Sequence, residues 1–277
     1  MNIRYPYRAV MIHEFTLGTT ILKLRCQVDV IFVTQKYAKM PPMKPFFLVI
    51  HLISAILKCA VFPLLPLKLR KKMVQSWCIR LLRILKVKVI IHGDPSVLFG
   101  AKPYLLVANH ISWLDIHIIN SIRPVIFVAK ADVSKWPIFG YLASMLGTIF
   151  LKREKLSDIK RVIQLMKEKL THQEVVAIFP EGTSTDGRSV LPFKSNLFEA
   201  AHQAQVDVLP ITIKYTENNQ YSDRAAFIGD MELIDSIKNI LKSDNLVVHV
   251  HISDKLSGHL TRQEMASQAH QQVALRA

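Results

Sequence analysis

The pattern of apolar and polar positions changes character twice along the chain. From Ile21 to Val33 (ILKLRCQVDVIFV) apolar and polar residues partly alternate, as in a strand. Pro45 to Leu67 (PFFLVIHLISAILKCAVFPLLPL) is the most hydrophobic stretch, interrupted by Lys58 and broken by Pro63 and Pro66. A helix from Phe46 to Phe62 is marginal for crossing a bilayer, which takes about 17–25 residues. The same residues also suit a re-entrant or surface-lying helix, or an internal core helix. The following segment, LKLRKKMVQSWCIRLLRILKVKV, sets Arg70, Lys71, Lys72, Arg80, Arg83, Lys86 and Lys88 among Val74, Trp77, Leu81, Leu82 and Leu85. A basic amphipathic helix with a Trp matches a membrane-surface element, and a solvated helix over an ordinary core is the plainer alternative. Together, residues 44–87 predict a membrane-docking helical hairpin.

From about Lys88 the texture becomes alternating strands and helices. Strand-like runs are Val87–His92, Tyr104–Ala108, Val125–Ala129, Thr148–Leu151, Val175–Phe179, Val208–Tyr215 and Leu246–Ile252. Helical periodicity falls between them, most clearly over Leu156–Leu170 and Leu197–Gln205. This alternation predicts an α/β domain over 88–277: a mixed, largely buried sheet flanked by helices. Residues 1–43 are an extension of uncertain role. No apolar run follows its early charges and no small-residue cleavage site is present, so a cleavable signal is not expected. Met40 and Met43, just ahead of the first apolar segment, are candidate start positions.

Composition narrows the partners. Half of the 277 residues are hydrophobic, the formal charge is +15 and the pI about 9.8. Mean hydropathy is +0.23, which is high for a soluble enzyme. A basic, apolar chain suits nucleic acid or anionic membrane lipids. No nucleic-acid recognition motif is present, which leaves lipid. Cys26, Cys59 and Cys78 are few, odd in number and widely spaced, which argues against a disulfide framework or a zinc site.

Candidate chemistry lies at strand ends. The run Tyr104–Ala108 ends in Asn109-His110-Ile111-Ser112-Trp113-Leu114-Asp115. Polar residues just past a strand occupy the usual place for a site in an α/β sheet. Ser112 and Asp115 form an S-x-x-D pattern, so Asp115 reads equally as a helix cap. Its catalytic reading needs His110 as base and the carboxylate to fix the tautomer and stabilise the imidazolium. A second cluster, Phe179-Pro180-Glu181-Gly182-Thr183-Ser184, also follows an apolar strand. Gly182 and Thr183 would let backbone amides approach an oxyanion or phosphate, and Glu181 could bond an acceptor hydroxyl. Alone, that cluster reads as a plain turn. Between the two, Gly147–Arg153 (GTIFLKR) ends in Arg153, a residue suited to a bidentate grip on phosphate or to a solvated surface.

The ordered set NHISWLD, GTIFLKR, FPEGTS and VLPI resembles the four sequence blocks of the PlsC-like glycerolipid (lysophospholipid) acyltransferase family. The resemblance covers roughly residues 88–215 and, more weakly, begins at residue 45. It implies that His110 acts as base on the acceptor hydroxyl and that Asp115 orients it. It further implies that Arg153, Glu181 and Gly182 hold the acceptor head group. Lys130 and Trp136-Pro137-Ile138-Phe139-Gly140 resemble the stretch between the first two blocks, with Lys130 a candidate contact for phosphate or thioester oxygen. Many family members that acylate lysophosphatidate carry arginine directly after E-G-T, where this chain has Ser184. The stretch 181–198 is closer to a bacterial branch that includes lyso-ornithine-lipid acyltransferases, in which Arg188 or Lys194 could supply the missing charge.

The reaction so implied moves a fatty acyl group from a thioester to a lysolipid hydroxyl. The donor is acyl carrier protein or coenzyme A thioester, a co-substrate; no cofactor and no metal are expected, because a thiolate leaves readily. The first acceptor is 1-acyl-sn-glycerol-3-phosphate, giving phosphatidic acid; lyso-ornithine lipid is the alternative. The implied location is the cytoplasmic face of a bacterial inner membrane. Three rival readings fare worse. A serine hydrolase would want G-x-S-x-G, which Gly182–Gly187 does not match. A metal site on His249 and His251 lacks a third ligand. A non-catalytic lipid-binding protein does not need an intact His/Asp pair.

Overall fold

The computed structural model describes residues 29–30, 44–135, 139–152, 154–243 and 245–277. The expected start positions and most of the 21–33 stretch lie outside them. In chain order the described elements are β1 (Asp29–Val30), α1 (Lys44–Val61), α2 (Leu67–Leu85), β2 (Lys88–His92), β3 (Leu105–Ala108), α3 (Leu114–Ile122), β4 (Ile126–Lys130) and α4 (Phe139–Met145). They continue with β5 (Ile149–Leu151), α5 (Leu156–Thr171), β6 (Val176–Ile178), α6 (Glu199–Ala204), β7 (Val208–Glu217), β8 (Gln220–Tyr221), α7 (Leu233–Lys242), β9 (Leu246–Ile252) and α8 (Arg262–Ala274).

The strands form one mixed sheet in the order β1-β2-β9-β7-β3-β6-β4-β5, with β8 hairpinned onto β7. The run β7-β3-β6-β4-β5 is parallel, and β9 runs antiparallel to β7 and parallel to β2. Strand β3 is buried at every position, as a continuous Leu-Leu-Val-Ala run between two helical layers must be. Its alternate side chains feed opposite cores. Leu106 and Ala108 join Ile118, Leu209 and Ile213, while Leu105 and Val107 join Met166, Phe198 and Met265.

The helices follow from local rules. α5 turns Val162, Met166 and Leu170 inward at four-residue spacing. α8 begins at a capping box, Thr261 and Glu264 satisfying each other's backbone N–H groups. α2 stops where Lys86 adopts φ 59°. Leu48 of α1 and Leu81, Leu82 and Leu85 of α2 join the same core as the strands, so the helical pair is built onto the domain. His51 welds the pair together: its Nε2 bonds the Trp77 carbonyl at 3.0 Å and its own carbonyl accepts from Trp77 Nε1 at 3.1 Å. Among the described residues no helix is long and apolar enough to cross a membrane.

The long strand β7 sets up the site. Ala108 at the end of β3 pairs with Ile211, so β7 overhangs β3 by the residues after Ile211. Asn109 extends the pairing with its side chain. Its Nδ2 donates to the Ile213 carbonyl at 2.9 Å and its Oδ1 accepts from the Ile213 N–H at 2.8 Å.

Candidate active site

Every parallel strand from β3 to β5 ends on one edge of the sheet, and the loops there carry the residues singled out above. His110 leaves β3, and Asp115 stands in the first turn of α3. Asp115 is fully buried. Its Oδ2 accepts from His110 Nδ1 at 2.9 Å, from the Ile111 N–H at 2.8 Å and from the Ser112 N–H at 2.9 Å. The two readings of Asp115 therefore coincide: the carboxylate that ties off the helix entrance also faces the imidazole. An ionised carboxylate only accepts, so Nδ1 carries the proton and Nε2 keeps its lone pair. The His110 ring stacks on Phe179, with centroids 4.1 Å apart and planes 14° apart. That contact fixes its tilt.

Glu181 approaches the same loop from the end of β6. It is 3% exposed. Its Oε1 accepts from the His110 N–H at 2.7 Å and its Oε2 from the Leu191 N–H at 2.8 Å. Burial raises its pKa, and the two N–H bonds act the other way. The Thr185 N–H donates to the His110 carbonyl, and the Phe227 N–H to the Ile111 carbonyl, both at 2.9 Å. The His110 loop is thus clamped from two directions.

Gly182 has φ +81°, and its N–H closes a turn onto the Phe179 carbonyl at 3.1 Å. That N–H is therefore committed, and an oxyanion would need another donor. A Cβ at Gly182 would lie 2.8 Å from Lys194 Nζ, so the ammonium rests directly over this glycine. Thr183 is exposed at the rim. Gly187, at φ +87°, lets Ile111 pack against it; a Cβ there would meet Ile111 Cδ1 at 2.6 Å. Lys130 ends β4 on the same sheet edge, with an exposed side chain paired to Asp132 at 2.7 Å. Arg153 lies outside the described residues, as do Trp136, Pro137 and Ile138.

Beside the dyad, an apolar cavity of about 190 Å³ opens between the α1–α2 pair, α3, β4 and α4. Its lining includes Trp77, Cys78, Trp113, His117, Phe127 and Leu142. Phe127 stacks on Phe179 at 6.0 Å, so two rings separate the cavity from His110. His117 bonds Cys78 Sγ through Nδ1 at 3.6 Å, and burial, then repulsion from His51, lowers its pKa to about 4. On the far side of the sheet, His249 and His251 stack with His92. Among the described residues no group of three or more His, Cys, Asp or Glu is placed to hold a metal.

Asn109 and Phe179 fall inside the blocks singled out along the chain but carry no role there, and Tyr215 lies outside those blocks. Tyr215 lies on the β7 overhang and donates from its hydroxyl to Asp115 Oδ1 at 2.6 Å. Along the chain it is one more apolar position in a strand, and only the register of β7 on β3 carries it to Asp115.

The profile of the family described as Acyltransferase matches residues 88–214. A lyso-ornithine lipid O-acyltransferase of Pseudomonas aeruginosa is 35% identical over 208 residues, covering 75% of this chain and 79% of that protein. A 1-acyl-sn-glycerol-3-phosphate acyltransferase of Neisseria meningitidis is 31% identical over 146 residues, covering 53% of this chain and 57% of that protein. The crystal structure of the 1-acyl-sn-glycerophosphate acyltransferase PlsC from Thermotoga maritima shares the fold, with TM-score 0.55 at 20% identity, over 83% of this chain and 95% of that one. With the fold and the family profile in agreement, and a relative matched over most of its length, the chain belongs to the PlsC-like glycerolipid acyltransferase family and is an acyltransferase.

Proposed function

We propose that this enzyme transfers a fatty acyl group from an acyl thioester to the hydroxyl of a lysolipid, with His110 as general base and Asp115 as its orienting partner. The observation that carries this is the carboxylate-held imidazole, with Asp115 Oδ2 against His110 Nδ1. Neutral His110 takes the hydroxyl proton at Nε2 as the oxygen attacks the thioester carbonyl. The tetrahedral intermediate collapses, the C–S bond breaks, and the departing thiolate receives that proton from the imidazolium. General-base help of this kind contributes about 10²–10⁴-fold. The cavity receives the acyl chain. Acyl carrier protein or coenzyme A supplies the thioester, and the step needs no cofactor.

Glu181 serves the head-group site by holding the His110 and Leu191 loops in place, and Gly182 and Thr183 form its rim. Lys194, against Gly182, supplies the positive charge for the head group, in the absence of an arginine at Ser184. The family resemblance adds Arg153, which lies outside the described residues, and Lys130, at the end of β4, as further candidates for the head-group or thioester contact. Lyso-ornithine lipid and 1-acyl-sn-glycerol-3-phosphate are the two acceptors in range, and the longer match to a lyso-ornithine lipid O-acyltransferase favours the first.

Residues 44–87 dock the 88–277 domain on the cytoplasmic face of a bacterial inner membrane, where both thioesters are found. Phe46, Val49, Ile50, Ile53 and Leu57 form an exposed apolar face on α1. Exposed Lys68, Lys72, Arg80 and Arg83 on α2 suit anionic head groups. With its opposite face welded to α2, α1 lies on the membrane. The test offers purified protein both lysolipids with both thioesters, alongside His110→Ala. The variant should fold, bind vesicles and transfer nothing; transfer by a folded His110→Ala would refute the assignment.

A further inference from the structure

We infer that Tyr215 is a positioning residue of the acyl transfer, setting through Asp115 both the orientation and the basicity of His110. The inference rests on the His110–Asp115 reading above and adds a residue to it. All three donors from the β3–α3 loop converge on Oδ2 of Asp115, and among the described residues the Tyr215 hydroxyl alone holds Oδ1, at 2.6 Å. Without that bond the carboxylate could turn about Cβ–Cγ and trade oxygens in front of the imidazole. Tyr215 is 1% exposed and Asp115 0%, so bulk solvent does not compete for the bond. Burial, then the Asp115 charge, drives the Tyr215 pKa well up, keeping it a donor.

Position in the fold makes the contact rigid. Tyr215 projects from the overhang of β7, whose Ile213 is bonded twice by Asn109, the residue preceding His110. The phenol thus ties the dyad to the central sheet from the side opposite Glu181.

The bond also sets charge. A donor on Oδ1 draws negative charge from the carboxylate and weakens its hold on the imidazolium, so Tyr215 keeps His110 less basic. Among the described residues the other titratable groups around the pair are Glu181, from the loop after β6, and Lys194, whose ammonium lies against Gly182; both stay in place when the phenol is altered.

The experiment measures kcat, KM and the pH profile of kcat/KM for Tyr215→Phe with one lysolipid and one acyl thioester. We expect kcat to fall about 10- to 100-fold with acceptor KM nearly unchanged. The acid limb should move to higher pH, because a more basic His110 stays protonated further up the scale. A residue that only supports folding would reduce active enzyme without moving that limb. If Tyr215→Phe fails to fold, 3-fluorotyrosine at position 215 keeps the shape and sharpens the donor, and the acid limb should then move to lower pH. An unmoved limb in whichever variant folds overturns the inference. His110→Ala run in parallel separates the two claims: its inactivity with an unmoved Tyr215 profile sinks this inference alone, and its activity sinks the underlying reading.

Discussion

The backbone N–H of His110 donates to Oε1 of Glu181 across 2.7 Å, joining residues 71 positions apart in the chain. Two strand ends, β3 and β6, are adjacent in the sheet, and this bond connects the loops that leave them. Glu181 therefore shapes the ground on which the dyad stands, and it does so with both carboxylate oxygens committed to backbone.

Asp115→Asn tests how many duties the carboxylate carries. Oδ2 faces three donors, and an amide must present its NH₂ either to those three or to the Tyr215 hydroxyl. We expect transfer to fall by about 10²–10⁴-fold. Stability should drop by about 1–3 kcal/mol for the buried unsatisfied group. Steady-state kinetics and urea denaturation measure the two losses; a variant weakened in only one of them would show that orientation and capping are separable.

Two glycines of similar φ separate strain from crowding. Gly187 (φ +87°) would place a new Cβ 2.6 Å from Ile111 Cδ1, whereas Gly147 (φ +79°) has nothing within 4 Å. Gly147→Ala should cost only the backbone strain, about 1 kcal/mol. Gly187→Ala should cost about 1–3 kcal/mol more through overpacking, and should lower activity because Ile111 adjoins His110. Equal denaturation midpoints and activities for the two would contradict this.

The two lysines at the rim should differ. Lys194→Ala should raise the acceptor KM about tenfold or more, the scale of a lost bond to a charged group, with kcat largely kept. Lys130 is exposed and already paired with Asp132, so Lys130→Ala should shift KM less and leave the melting temperature almost unchanged. A variant series with the larger KM effect at Lys130 would reassign the head-group contact.

His117 links stability to pH. Its folded pKa, about 4, lies below its ordinary value of 6.5, so the unfolded chain binds the proton first. The resulting stability is whole above pH 6.5 and drains away as pH falls toward 4. His117→Phe should flatten that part of the profile in thermal melts; an unchanged slope would place the acid sensitivity elsewhere, with His251, whose pKa burial also lowers to about 4, as the next group to test.

The apolar pattern along the chain alone marked most of the strands, though not their order in the sheet. Strands β3, β6 and β7 read clearly because strands covered on both faces must be continuous apolar runs. α8 was not singled out, since its inward stripe is Met265, Ala266, Ala269 and Val273 in an otherwise polar segment. α4, between the first two blocks, and α7, beyond the last, are short helices of seven and ten residues that the chain alone does not declare either. For the site, the spacing of His110 and Asp115 within one turn was enough to suggest contact, because both belong to the same strand-to-helix entrance. Tertiary structure alone decided the rest. Phe179 became the floor under the imidazole, Glu181 the clamp on its loop, and Tyr215 the second anchor of its carboxylate. These three depend on which strands are neighbours and by how many residues β7 overhangs β3. Register between distant strands comes from packing the whole core, so no local pattern records it.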